Sequence, residues 1–156
     1  METVLAAAVA VLGTLAGTFG TLVLQRRQAD RAAASAQAER LRQERASACL
    51  AFAEALAELE RAAVGVWLRR HDRPRDEDAV RAARQEADRS GAAAQSAMFR
   101  MQLMTHDQRL GALAHAAFEL IGGIEPAADR AELKRTERSF EQAVEAFIAE
   151  AHRLVI

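Results

Sequence analysis

The chain has 156 residues, with 21 basic and 22 acidic side chains, one cysteine, two prolines and no tyrosine. That size fits one domain with an appendage and excludes a two-domain enzyme. Alanine supplies about a quarter of the residues, aromatics are only 4% and β-branched residues are scarce, so a sheet protein is excluded and an all-α chain is predicted. At a net charge of -1, no overall field recruits nucleic acid.

Residues 3–24 read TVLAAAVAVLGTLAGTFGTLVL, 22 residues without a charge. As a helix they span about 33 Å, close to the thickness of a hydrocarbon core. A transmembrane anchor over residues 1–24 is therefore predicted, with the lipid bilayer as its partner. A cleaved secretory signal is disfavoured, because Met1-Glu2 is no basic n-region, the apolar run is long, and Gln25-Arg26-Arg27 follows it at once. Arg26, Arg27 and Arg31 on the C-terminal flank face only Glu2 on the other. The positive-inside rule then places the N-terminus outside and the remainder in the cytoplasm, at the plasma (inner) membrane. These three arginines also suit anionic headgroups. Inside the span Ala6, Ala10, Gly13, Gly17 and Gly20 recur at intervals of four and three. Such a face of small side chains lets a second membrane helix approach and predicts a homo-oligomer, although glycine and alanine are frequent in any membrane helix.

Residues 25–40 carry alanine, glutamine and charge without proline or glycine, so the helix should continue as a juxtamembrane stalk. An apolar stripe begins near Leu41 and continues through Cys49, Phe52, Leu56, Leu59, Ala63 and Val66 in steps of three and four. The helix should end within residues 69–75, where cations suit a helix C-terminus and Pro74 forbids simple continuation. Trp67, Arg69, Arg70, Arg73 and Arg75 form this tip, about 65 Å from the membrane if the stalk is one helix. They offer cations and one stacking surface to a protein partner, and they equally suit an ordinary basic last turn.

Asp76, Glu77 and Asp78 supply the anionic first turn of a second helix, which runs through Ala79, Ala83, Ala87, Gly91, Ala94, Met98 and Met101 to about Met104. Thr105-His106-Asp107-Gln108 has the form of a capping box and predicts the start of a third helix there. That helix carries Leu110, Leu113, Ala117, Leu120 and Ile121, and Gly122-Gly123 stops it. Glu125-Pro126 precedes the last helix, in which Leu133, Phe140, Val144, Phe147, Ala151 and Leu154 fall on near-heptad spacing with Glu137 in the vacant slot. Four helical stretches joined by short turns predict an antiparallel up-down four-helix bundle over residues 41–156. The rival is a long coiled-coil hairpin that completes its core only by dimerising, since the alanine-faced second helix buries little area.

The chemistry expected of this chain is sparse. His71, His106, His115 and His152 have no HxxxH or HExxH pairing and Cys49 has no CxxC partner, so neither a metal nor another cofactor is expected. His115 and His106 read as packed, rim or cap residues, and Cys49 as an inert buried thiol. No glycine-rich phosphate loop is present. The carboxylates Glu54, Glu58, Glu60, Glu141, Glu145 and Glu150 read as solvated faces. No nucleophile, base and orienting group can be assembled, so neither an enzyme nor a small-molecule substrate is expected.

The segments GTLAG, QRRQADR, AERLRQERASACLAFAEAL, the Trp67-Leu68-Arg69-Arg70 tip, AMFRMQLMT and AVEAFIAEA together resemble a group of small actinobacterial single-pass membrane proteins similar to KilB. The resemblance covers nearly the whole chain. It implies an inner-membrane accessory to plasmid spread and assigns no catalytic residue. The function expected is therefore non-enzymatic, with a membrane-anchored cytoplasmic bundle that docks an unidentified protein partner or itself. Two alternatives are a membrane-perturbing, toxin-like or pore-forming small protein, suggested by the small-residue face, and a sensor bundle outside the cell, which requires the reverse topology.

Overall fold

A computed structural model describes the backbone of residues 2–155 and the side chains of residues 26 and 28–154. Four helices follow one another: α1 (Glu2–His71), α2 (Glu77–Thr105), α3 (Gln108–Ile121) and α4 (Arg130–Val155). Among the described residues there is no strand. The chain divides into two compact units, residues 1–41 and 42–156. Among the described residues no helix is long and apolar enough to cross a membrane. The expected anchor, with Ala6, Ala10, Gly13, Gly17 and Gly20, and the side chain of Arg27 lie outside the described side chains. In the first unit Arg26 and residues 28–41 are exposed, Leu41 included at 41%, and Ser35 Oγ donates to the Ala32 carbonyl at 2.9 Å. Packing begins not at Leu41 but at Ala48 and Cys49, the first buried side chains of the second unit.

The core of the second unit draws on all four helices. Phe52 and Leu56 of α1, Met101 of α2, Leu110 of α3 and Phe147 of α4 are all fully buried, each stabilising the fold by about 1.5–3 kcal/mol through burial. The Phe52 and Phe147 rings meet edge to face with centroids 5.2 Å apart, a geometry favoured by the ring quadrupoles. Further along α1, the Trp67 indole Nε1–H donates to the Ala127 carbonyl just before α4 at 2.8 Å. As numbering rises on α1 it falls on the α4 side, so the two run antiparallel. α2 also runs against α1. Arg45 Nε donates to the Met104 carbonyl at 3.2 Å, and a Cβ on Gly91 would stand 3.7 Å from Leu59 Cδ1. α2 has no basic residue in its own last turn, so Arg45 supplies the cation that such a helix end favours.

The turns follow side-chain capping. Asp76 accepts from the amides of Asp78 at 3.0 Å and Ala79 at 3.1 Å and starts α2. The expected capping box at Thr105 does not form. Thr105 remains in α2 with its hydroxyl bonded back to the Met101 carbonyl at 2.9 Å, and His106 takes the left-handed conformation at φ 51°. Asp107 then caps α3, accepting from Leu110 N at 2.8 Å. An aspartate next in line competes better for a free helix amide than a threonine already placed to bond its own preceding turn.

α4 starts at Arg130, four residues beyond Pro126, because a cap forms there. Asp129 Oδ1 accepts from Glu132 N at 2.8 Å while Glu132 accepts from Ala128 N at 2.7 Å. Between α3 and α4, Ile124 and Ala127 are buried and carry the core across the loop. Gly122 is right-handed at φ -58°. Gly123 matters for space, since a Cβ there would approach Thr136 Cγ2 to 3.3 Å.

Candidate functional site

The residues expected at the tip do not form one exposed surface. Trp67 is only 6% exposed, because its ring closes the core and stacks on His71 with centroids 4.1 Å apart. The His71 Nδ1–H donates to the Trp67 carbonyl at 2.8 Å, a bond that fixes the imidazole against the indole. Arg70 turns inward to Glu125, 3.3 Å from both its carboxylate and its carbonyl, and Arg84 reaches the same carboxylate at 2.8 Å. This carboxylate ties α1, α2 and the α3–α4 loop together. Arg69 pairs with Asp72 at 3.6 Å and Arg75 with Glu77 at 2.8 Å. Arg73 is exposed. The single aromatic surface expected for a partner is thus part of the core, and the arginines that remain are mostly engaged locally.

One carboxylate also departs from expectation. Glu150 does not lie on a solvated face: it is 6% exposed, pairs with Arg153, and stands 3.4 Å from Arg109 of α3. The Arg153 hydrogen bond above all, helped by the charges of Arg109 and Arg153, holds its carboxyl below the usual range despite desolvation. A buried carboxylate is tolerated here because cations surround it. Cys49 is buried, and burial pushes its thiol up, so it is held as an unreactive thiol. His115 is exposed and lies 3.5 Å from Glu119. Among the described residues no three His, Cys, Asp or Glu side chains come together as a metal site.

An apolar hollow of the second unit lies between α1 and α4. It measures about 300 Å³ and is lined by Ala46, Leu50 and Ala53 on one side and by Phe147, Ile148 and Ala151 on the other. Leu50 is 60% exposed and Ile148 51%. Neither belongs to the core stripe of its helix, so hydrophobic periodicity points to neither. Their only trace in the sequence is a large aliphatic residue placed off the buried face. Further along the same two helices, Glu60 is half-buried. Burial first, then the charges of Glu137 and Glu141, raise its carboxyl above the usual range, with Arg61 opposing them. A separate exposed pair, Phe99 at 52% and Leu103 at 71%, sits one turn apart on α2. The groove between α1 and α2 has an alanine floor edged by charged pairs, with Arg61 on Glu58 at 2.7 Å and Arg89 on Glu86 at 2.5 Å.

Leu50, Ile148, Phe99 and Leu103 are thus large apolar side chains left exposed over a packed helical frame. Compared with known proteins, the chain matches the model of the KilB plasmid transfer protein family over residues 46–155. No curated protein and no solved structure matches it.

Proposed function

The chain belongs to the KilB plasmid transfer protein family, and from that membership we propose that it is a non-enzymatic accessory to plasmid transfer whose helical bundle docks other proteins or further copies of itself. The observation that carries this reading is where the family match falls. Residues 46–155 are almost the whole of the second compact unit. The part shared with a transfer family is therefore a packed helical body with exposed aliphatic side chains.

The same proposal places residues 3–24 in a bilayer as a single span, with residues 25–156 on the cytoplasmic side. The uncharged run of membrane length supports the span, and Arg26, Arg27 and Arg31 support the orientation. The lipid bilayer and one or more proteins are its partners, and self-association through Ala6, Ala10, Gly13, Gly17 and Gly20 is part of the reading.

Plasmid transfer scored in a host with and without the gene tests the proposal. Loss of the gene should lower transfer, and a wild-type copy should restore it. A copy carrying Leu12→Asp and Leu15→Asp should not, because charges at the centre of a span oppose insertion. Transfer that is unchanged without the gene would contradict the proposal.

A further inference from the structure

The surface along the α1–α4 contact has two ends of different chemistry. At one end is the hollow with Leu50 and Ile148 exposed on its lips. At the other, Glu60 of α1 stands in the field of Glu137 and Glu141 of α4. Helical spacing puts these features in line. Ala46, Ala53 and Glu60 recur every seven residues on α1, and Glu137, Glu141, Glu145, Ile148 and His152 follow at four, four, three and four on α4. Residues 137–152 cover about 22 Å of helix, room for about four turns of a second helix laid alongside.

We propose that this face is a docking groove for a basic amphipathic helix of another protein, with its apolar stripe on Leu50 and Ile148 and its lysines or arginines over Glu60, Glu137 and Glu141. The proposal rests on the docking function above and names the face and the partner's chemistry. Charge decides the occupant. Among the described residues Glu60, Glu137, Glu141 and Glu145 form no ion pair, whereas Asp78, Glu86 and Glu125 are paired within the chain. Arg61 is committed to Glu58, and Lys134, Arg135 and Arg138, exposed on α4 within three positions of Glu137, form no ion pair with it among the described residues. The raised carboxyl of Glu60 marks a position where an added cation is favoured.

A second copy is a poorer occupant. A parallel two-fold pairing over this face sets the glutamates against their own images, and an antiparallel one lays them on the apolar hollow. An anionic bilayer is repelled by the same carboxylates.

The test titrates the full chain, held in zwitterionic nanodiscs, with a labelled helical peptide that has a leucine stripe and lysines toward one end. Empty nanodiscs serve as the blank. Saturable binding is expected, weakened about tenfold by Ile148→Gln and by Glu141→Lys, and unchanged by Phe99→Gln. Circular dichroism verifies that each variant keeps its helices. Equal binding of a peptide with glutamate in place of lysine, or binding indifferent to both groove variants, would overturn the proposal. Photo-crosslinkers at Ile148 and at Phe99 in native membranes separate the two levels of the account. Adducts to another protein from Phe99 but not from Ile148 leave docking intact and sink this groove, adducts from neither position also sink this groove, and docking itself falls only if no residue of 42–156 crosslinks to another protein or to a further copy. Adducts from Ile148 only to a second copy also overturn the groove's assignment.

Discussion

The Trp67 indole donates to the Ala127 carbonyl at 2.8 Å, joining the last turns of α1 to the loop that leads into α4. Both residues are buried, so the bond satisfies a polar group that water cannot reach. Trp67→Phe keeps most of the packing and leaves that carbonyl without its donor. It should lower stability by about 1–3 kcal/mol in urea unfolding followed by circular dichroism. An unchanged midpoint would show that the bond contributes nothing.

The α2–α3 junction makes a sharper prediction, because two neighbouring residues compete for the capping role. Asp107 caps α3 through Leu110 N, while Thr105 bonds back into α2. Asp107→Ala should destabilise by about 1 kcal/mol, and Thr105→Ala by less than about 0.5 kcal/mol. The reverse order in thermal melts would restore the capping-box assignment.

Helix existence and the buried stripes were legible in the sequence because 3.6-residue periodicity is a direct trace of burial: Phe52, Leu56, Met101, Leu110 and Phe147 all lie in the core. Pro74 and Asp76 likewise mark the α1–α2 break. What the sequence hid depends on contacts between elements. Trp67 beside four arginines reads as a surface tip, and only the position of Ala127 shows that its ring closes the core. Glu150 follows the same logic, since nothing local reveals that Arg109 of α3 lies beside it. The cap at Asp129 was readable from its Asp-x-x-Glu spacing, which Pro126 overshadowed. Leu50 and Ile148 carry no periodic signal, because they stand off the buried faces of their helices.

Acid should act on this fold through opposing groups. Glu150 and Asp129 have carboxyls held below the usual range, the first by Arg153 and the second chiefly by the Glu132 amide. Their contributions are present above the ordinary carboxylate range of about 4 and are lost as pH falls through the lower folded-state values. Glu60 runs the other way. Its raised carboxyl is a penalty at neutral pH that protonation relieves as pH falls through its folded-state value. Glu60→Gln should therefore raise the melting temperature at pH 7 and leave the steep loss at low pH in place. Glu150→Gln should lower it at pH 7 and flatten that loss. Parallel pH profiles for both variants and wild type would refute these assignments.

Adjacent residues on α4 separate packing from recognition. Phe147 is buried against Phe52, and Ile148 stands 51% exposed beside it. Phe147→Ala should cost about 3–5 kcal/mol in urea unfolding. Ile148→Gln should change stability by less than about 0.5 kcal/mol and yet lower plasmid transfer. Full transfer by an Ile148→Gln chain would remove this face from function.

The central claim is that a membrane-held helical bundle docks protein partners during plasmid transfer, and crosslinking mass spectrometry on carbonate-washed membranes of plasmid-carrying cells tests it most directly. The account predicts the intact chain in the membrane pellet, with crosslinks from residues 42–156 to other proteins or to further copies. Recovery of the intact chain in the soluble fraction as an uncrosslinked monomer would contradict it.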